Sequence, residues 1–189
     1  MAGRGVGYAG TMVRLQDAVR WAAELHFGQE RDGDAPLPYI THPLEVLSIL
    51  RHRAGVTDED MLCAAALHDT VEETNATVGD IRDRFGERVA LLVDELTRRE
   101  PNEKNTQGLS ADEVYELRTT MYMDELRAMS REARLIKLCD RFCNLKEAKR
   151  TRSSKKAKRY RDQTRRMLAI IPRDVHPELW DKIDTMSLN

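Results

Sequence analysis

Apolar residues recur every three to four positions along most of the chain, with charged and polar residues between them. In the segment 15–27, one helical face collects Leu15, Val19, Ala22 and Leu25. This period is that of an amphipathic α-helix, whereas a half-buried strand alternates apolar and polar residues. No segment alternates in that way, and no longer repeat is present. The pattern therefore predicts an all-α protein.

Further helices are predicted wherever this period continues between polar or Gly/Pro-rich breaks. Pro43 suits the first position of a helix, which places His42 at the N-cap. Long loops are predicted at 28–43 and 100–110, and the segment 172–188 is predicted to form a short surface helix. The other predicted helices cover residues 43–53, 57–69, 81–99, 114–129, 133–150 and 155–170.

Three of the predicted helices begin with a capping-box sequence, in which an acidic residue follows a threonine or serine by three positions. In this motif each of the two side chains bonds to the backbone N–H of the other residue. The sequences TDED, TVGD and SADE predict helix starts at Thr57, Thr77 and Ser110.

The composition limits the class of protein. The 189 residues suffice for one domain, and 5% aromatic against 33% charged residues predicts an aliphatic core under an ionic surface. A net charge of −1 favours neither nucleic acid nor a membrane as partner, and no apolar stretch reaches the length of a membrane span. Residues 1–11 lack a signal-peptide core and are predicted to be a flexible tail. An odd count of three cysteines argues against a disulfide framework and favours a reducing cytoplasm.

One segment concentrates positive charge. Residues 149–166 hold ten Lys or Arg residues and one Asp, a local charge of +9, so the remainder of the chain carries −10. A solvated helix and a positive wall beside a phosphate-bearing ligand are both consistent with this segment. Nucleic acid is the weaker interpretation, because no aromatic platform accompanies the basic residues.

The sequence HDTVEET at 68–74 crowds an imidazole and three carboxylates together directly after an apolar run. Such crowding is costly unless a cation, a shared proton or open water relieves it. His68 and Glu72 are four residues apart, as are Asp69 and Glu73, so each pair lies on one helix face. An imidazole with a carboxylate suits a divalent transition metal, although a surface pair is the alternative.

A second carboxylate lies in LIKLCDRFCNL, at 135–145. Asp140 and Asn144 are four residues apart at the edge of a broad apolar arc, where a partly buried carboxylate needs a partner. That partner is either a basic side chain or a metal. Cys139 and Cys143 are interpreted as core residues, because no second Cys or His pair lies nearby to complete a zinc site.

The order His42, His68-Asp69, Asp140 resembles the H…HD…D pattern of HD-domain metal-dependent phosphohydrolases. Four longer strings, PYITHPLEVLSIL, AALHDTVEET, DIRDRFGERVALLVDELT and LIKLCDRFCNL, resemble the hydrolase domain of RelA/SpoT-type alarmone enzymes. The resemblance covers about residues 12–170, and the chain length is similar to that of stand-alone small alarmone hydrolases of the metazoan SpoT homologue type. It implies a single-domain HD-domain helical bundle over residues 12–189.

The resemblance also implies a reaction and a metal. In this family the reaction removes the 3′-pyrophosphate from ppGpp or pppGpp and leaves GDP or GTP. Glu72 and Glu73 are implied to hold the attacking water and accept its proton. The family's single metal ion, usually Mn²⁺, has ligands that correspond to His42, His68, Asp69 and Asp140.

Nucleotide contacts are implied at four further positions. Arg31 matches the family's loop arginine, and Asn144 matches an asparagine that contacts the ribose. Arg118 and Tyr160 match nucleotide contacts less closely, and each has an ordinary surface interpretation.

The sequence departs from the family at two positions. Asp32 replaces a lysine that commonly follows Arg31, and Glu73 replaces an aspartate after Glu72. These departures leave two alternatives open: a phosphohydrolase of another nucleotide, such as the 2′-phosphate of NADPH, and a non-catalytic nucleotide sensor. The oligomeric state, including a homo-oligomer, is left open as well.

Overall fold

A computed structural model describes residues 11–32, 36–151 and 154–188. The described residues form helices joined by turns and loops, and their one β-feature is an isolated bridge between Glu30 and Pro38. The all-α prediction is therefore confirmed. The helices are α1 Thr11–Leu25, α2 Thr41–His52, α3 Glu59–Leu67, α4 Thr70–Glu73, α5 Val78–Phe85, α6 Glu87–Leu96, α7 Glu103–Thr106, α8 Ala111–Ala128, α9 Arg131–Thr151, α10 Ser154–Leu168, a 3₁₀ turn Arg173–Val175, and α11 Pro177–Leu188.

Helix α3 is the centre of the bundle. All residues from Met61 to Leu67 are buried, and α1, α2, α6 and α9 pack around them. Small side chains, among them Cys63 and three alanines, let the neighbouring helices approach closely. The C-terminal end of α3 consequently delivers His68, which is wholly buried, to the middle of the molecule.

Two of the three predicted capping boxes are present. Thr77 and Ser110 each accept a bond from the N–H three residues on, and the acidic residue there bonds back. The prediction at Thr57 is wrong, because Asp58 is the N-cap of α3 and accepts from the Met61 N–H at 3.0 Å. The Asp58 carboxylate also pairs with Arg88 at 2.8 Å, which favours it as the cap.

Two predicted boundaries are corrected by backbone geometry. The predicted helix 81–99 is divided at Gly86, whose φ of +93° is a conformation that favours glycine. His42 is not an N-cap, because α2 begins at Thr41 after the cap Ile40. Pro43 is tolerated in the first turn, since N–H groups there need no helical partner.

The C-terminal segment is more deeply packed than predicted. Leu179 and Ile183 are wholly buried, because α11 lies against α9 and α10, and Trp180 Nε1 donates to the Ile171 carbonyl at 2.9 Å. The predicted surface position of 172–188 is therefore wrong. The loop predicted at 100–110 likewise contains the short helix α7.

Cys139 and Cys143 are core residues, as predicted, and Cys63 is buried as well; all three are free. Of the described helices, none combines the length and apolar character needed to cross a membrane. Residues 1–10 of the predicted tail lie outside the described residues, and the boundaries 1–11 and 12–189 stay predictions.

Candidate active site

Four predicted metal ligands lie close together at the centre of the bundle. His42 comes from the first turn of α2, His68 and Asp69 from the junction of α3 and α4, and Asp140 from α9. His42 Nε2 lies 3.2 Å from Asp140 Oδ1 and 3.6 Å from Asp69 Oδ2. His68 Nε2 lies 3.0 Å from Asp69 Oδ1 and 4.0 Å from Asp140 Oδ1. The fold thus joins segments about a hundred residues apart into one cluster.

The His68 ring is oriented by its own helix. Its Nδ1 donates to the Ala65 carbonyl at 2.9 Å, which leaves the Nε2 lone pair pointing into the cluster. This Nε2 is buried and has no hydrogen-bond partner among the described residues. A lone pair 3.0 Å from an Asp69 oxygen is repelled unless a positive charge lies between or beside the two atoms.

The donor set fits a divalent metal ion. Donor atoms of His42, His68 and Asp69 all lie within 4.8 Å of one another. Nitrogen and oxygen ligands about 2.1 Å from one ion are about 3 Å apart at right angles and about 3.4 Å apart in a tetrahedral site. The distances of 3.0 to 4.0 Å within the cluster are therefore compatible with ligands around a single ion.

The pKa shifts of His68 and Asp69 also indicate that the cluster favours a positive charge. Burial alone would lower the pKa of His68, but Asp69 and Asp140 outweigh burial and raise it to about 9. Burial would raise the pKa of Asp69, yet His68 holds it well below its usual range. In the absence of a metal, the cluster therefore favours a proton on the imidazole, at a point where a cation would otherwise supply the charge.

Asp140 is held on both of its oxygens. Lys137 Nζ lies 3.3 Å from Oδ2, while the Asn144 side-chain amide donates to Oδ1, the oxygen that faces His42. Lys137 is buried, and its ammonium lies 5.9 Å from the ring centre of Tyr122. Lys137 was not among the predicted site residues, although a lysine within the apolar run three residues before Asp140 was a signal.

Tyr39 is a second residue that sequence reasoning missed. Its hydroxyl donates to Asp69 Oδ2 at 2.9 Å, and its ring stacks on His26 at 4.6 Å. Burial, followed by the Asp69 charge, raises the pKa of Tyr39 above its usual range, so the hydroxyl keeps its proton. The position of Tyr39, three residues before His42 in the PYITHP string, was the available signal.

Two predicted nucleotide contacts, Arg31 and Asn144, share a cleft of about 530 Å³ with Glu73. Arg31 Nη2 donates to Asn144 Oδ1 at 3.0 Å, and the guanidinium lies 5.1 Å from the Tyr39 ring centre. Because Asn144 also bonds to Asp140, the cleft is connected to the metal-type cluster.

The two adjacent glutamates of α4 have different surroundings. Glu72 Oε1 accepts a 2.6 Å bond from the Arg98 N–H, and desolvation raises the Glu72 pKa even though part of the side chain is exposed. Glu73 lines the cleft, and its carbonyl accepts from Gln29 Nε2 at 2.7 Å. Glu73 is thus the one of the pair that shares a cavity with Arg31.

Arg118 and Tyr160 do not line the cleft that holds Arg31. Arg118 is exposed on α8 and pairs with Glu100 at 2.6 Å. The Tyr160 ring lies against Arg141, whose guanidinium carbon is 4.3 Å from the ring centre. Their predicted contacts with the nucleotide stay predictions.

Two arginines of the basic helix α10 form surface ion pairs with acidic residues. Arg159 pairs with Asp112 and Arg166 with Glu116, and both carboxylates belong to α8. These pairs agree with the interpretation of a solvated ionic helix. The side chains of residues 149–155 lie outside the described part of the chain.

Comparisons with known proteins agree with this geometry. The model of the HD domain family matches residues 18–171. Guanosine-3′,5′-bis(diphosphate) 3′-pyrophosphohydrolase MESH1 of Xenopus tropicalis is 39% identical over 136 residues, 72% of this chain and 70% of that protein. The human protein of the same name is 36% identical over 137 residues, with the same coverage of 72% and 70%.

A solved structure extends the similarity to nearly the whole chain. It is of a metazoan orthologue of SpoT that hydrolyses ppGpp, is 27% identical, and aligns with a TM-score of 0.78 over 98% of this chain and 96% of its own. The resemblance to the metazoan SpoT homologues is thereby confirmed. Because the family match covers most of its length, this chain belongs to the HD domain family.

Proposed function

We propose that this protein removes the 3′-pyrophosphate from ppGpp and pppGpp, leaving GDP or GTP, with Mn²⁺ as the activating ion. The observation that carries the proposal is the convergence of His42, His68, Asp69 and Asp140 beside a cleft that contains Arg31. The names of the relatives, which are guanosine-bis(diphosphate) 3′-pyrophosphohydrolases, support it.

The two histidines and two aspartates hold the ion. Two imidazole nitrogens and two carboxylate oxygens balance a divalent charge and suit a metal of intermediate softness such as Mn²⁺. An ion in such a site supplies Lewis-acid activation of a phosphoryl group and of water. Tyr39 and Lys137 fix the orientation of the two carboxylates through their bonds to Asp69 and Asp140.

Glu73 accepts the proton of the attacking water. Its place in the cleft wall gives it access to substrate and solvent together. Glu72 Oε1 accepts from the Arg98 N–H and so links α4 to the segment that follows α6.

Arg31 binds a phosphate group and Asn144 contacts the ribose. A guanidinium offers parallel donors that match phosphate oxygens, so negative charge that develops during the reaction is stabilised. Buried Lys137 lowers the net negative charge of the carboxylates around it.

Product analysis tests the proposal and its alternatives. Incubation with ppGpp and Mn²⁺ is expected to yield GDP and pyrophosphate in equal amounts, and an Asp140→Asn variant is expected to yield neither. Orthophosphate released from NADPH, with ppGpp intact, would favour a 2′-phosphate hydrolase instead. Binding of ppGpp without turnover would favour a nucleotide sensor.

The cellular location of the protein is also a proposal. A reducing cytoplasm is supported by three free, buried cysteines. The oligomeric state is left open, and sedimentation of the purified protein would determine it.

A further inference from the structure

The guanidinium of Arg31 already has an anionic partner. Its Nε donates to Glu147 Oε1 at 3.2 Å, and its Nη2 donates to Glu147 Oε2. The Arg31 side chain is only 15% exposed, against 28% for that of Glu147. The bidentate carboxylate therefore occupies donors that a phosphate group would use.

The cleft around this pair is acidic. Among the described residues, Glu30, Asp32, Glu73 and Glu147 line it together with one cation, Arg31, which gives these five a formal charge of −3. A phosphate that enters the cleft therefore meets repulsion as well as a guanidinium that is already paired.

Arg31 has two further contacts that do not depend on Glu147. Asn144 accepts from Nη2 at 3.0 Å, and the Tyr39 ring lies 5.1 Å beneath the guanidinium carbon. The Arg31 donors are thus preorganised for an anion, and a ligand anion can take the position of the Glu147 carboxylate without moving Arg31.

We propose that Glu147 is a specificity-determining residue: it occupies the phosphate position on Arg31, and the ligand's anionic group must displace it. The inference rests on the proposed function, since the displacing group is a phosphate of the substrate. Ligands with a multiply charged phosphate compete with the carboxylate for Arg31, whereas ligands without one leave the pair intact.

The test is the affinity for inorganic pyrophosphate, measured by calorimetry at low salt on protein loaded with one equivalent of Mn²⁺ and freed of excess metal. Glu147→Gln and Glu147→Ala are each expected to bind pyrophosphate about tenfold more tightly than the wild type. Glu45→Gln is the matched control, because Glu45 pairs with Lys146 and its loss changes the net charge equally. Its affinity is expected to stay within about twofold of the wild type.

A double-variant cycle shows whether the effect passes through Arg31. In an Arg31→Gln background, Glu147→Gln is expected to change the affinity by about twofold or less. Equal affinities of the wild type and both Glu147 variants would overturn the proposal, as would a tenfold gain that persists without Arg31.

The binding measurement does not require turnover, so the two proposals can fail separately. If ppGpp is hydrolysed and Glu147→Gln gains no affinity, the role of Glu147 fails alone. If the Arg31-dependent gain is found and ppGpp stays intact, the proposed function fails and Glu147 keeps its role at an anion site.

Discussion

His68 is oriented by a hydrogen bond within its own helix, so that its second ring nitrogen faces the other ligand-type residues. Its Nδ1 bond to Ala65 needs only the local backbone, while its Nε2 meets Asp69 and Asp140 through the fold. Residues around such a cluster act on metal affinity by orienting its ligands.

Tyr39 is expected to orient Asp69. Tyr39→Phe removes the 2.9 Å bond to Asp69 Oδ2 and is expected to weaken Mn²⁺ binding about tenfold. Tyr115→Phe is the control, because Tyr115 donates to the Arg159 carbonyl on another part of the surface. Equal Mn²⁺ affinities of the two variants in a metal titration would show that the Tyr39 hydroxyl does not support metal binding through Asp69.

Glu73 is expected to affect rate rather than binding. Glu73→Gln keeps the size of the side chain and removes the proton acceptor, so turnover is expected to fall about 10²–10⁴-fold. Metal content and ppGpp affinity are expected to change little. Steady-state kinetics with a bound-metal assay check this prediction, and undiminished turnover would show that another group accepts the proton.

Lys137 is expected to stabilise the metal-free protein more than the Mn²⁺-bound protein. Lys137→Met leaves the buried Asp140 carboxylate without its cation, which costs about 3–5 kcal/mol of unfolding free energy for pairs of this kind. With Mn²⁺ bound the cost is expected to be smaller, because the ion compensates Asp140. Urea unfolding of both forms measures the difference.

The control for Lys137 is Lys182→Met, which removes an exposed lysine paired with Glu178. It is expected to cost about 0.5 kcal/mol or less in either form. If Lys137→Met costs the same with and without metal, Lys137 stabilises the fold independently of the metal centre.

Among the elements, the junction at Gly86 separates two helices that the apolar pattern joins into one. With φ +93° and ψ 168°, Gly86 lies in a region that is essentially restricted to glycine and costs other residues about 1–3 kcal/mol, while a Cβ there would meet nothing within 4 Å. Gly86→Ala is therefore expected to lower the unfolding free energy by that amount through backbone strain alone.

Gly79→Ala is the matched control for this junction. Gly79 is the second residue of α5, where alanine is favoured by less than the roughly 1 kcal/mol of a helix interior, and its added Cβ would lie 3.4 Å from Thr77 Oγ1. The two substitutions are expected to act in opposite directions in urea unfolding. If both substitutions change the unfolding free energy equally, the backbone conformation of Gly86 does not cause the effect of Gly86→Ala.

The helix starts at Thr77 and Ser110 were predictable because the capping box is a local motif. The break at Gly86 was not, since Ile81, Phe85, Val89 and Leu92 keep the helical period across it. The burial of α11 was also missed, because only its packing on α9 and α10 distinguishes a core helix from a surface one.

At the scale of the whole molecule, the all-α class followed from the helical period of the apolar residues. The four ligand-type residues followed from the resemblance of their H…HD…D order to the HD-domain phosphohydrolases. Tyr39 and Lys137 could not be assigned from the sequence, because their roles depend on closeness to Asp69 and Asp140 in space. The Glu147 pair with Arg31 joins positions 116 residues apart, which no local pattern reports.

The metal-free protein is expected to lose stability as the pH rises from about 6.5 to about 9. The folded-state pKa of His68 is raised to about 9 from an ordinary value of 6.5, so its contribution is complete below that range and lost across it. Mn²⁺ binding is expected to tighten over the same range, because the metal displaces the proton from His68. Thermal unfolding against pH, with and without Mn²⁺, gives both trends.

The most direct measurement is the rate of pyrophosphate release from ppGpp as Mn²⁺ is titrated into metal-stripped protein. The rate is expected to rise in proportion to bound metal and to level off at one ion per chain. His68→Ala is expected to show neither stoichiometric metal nor activity, while the exposed His52→Ala behaves as the wild type. Release by the stripped protein, or a site filled with Mn²⁺ and no release, would contradict a metal-dependent hydrolase built on His42, His68, Asp69 and Asp140.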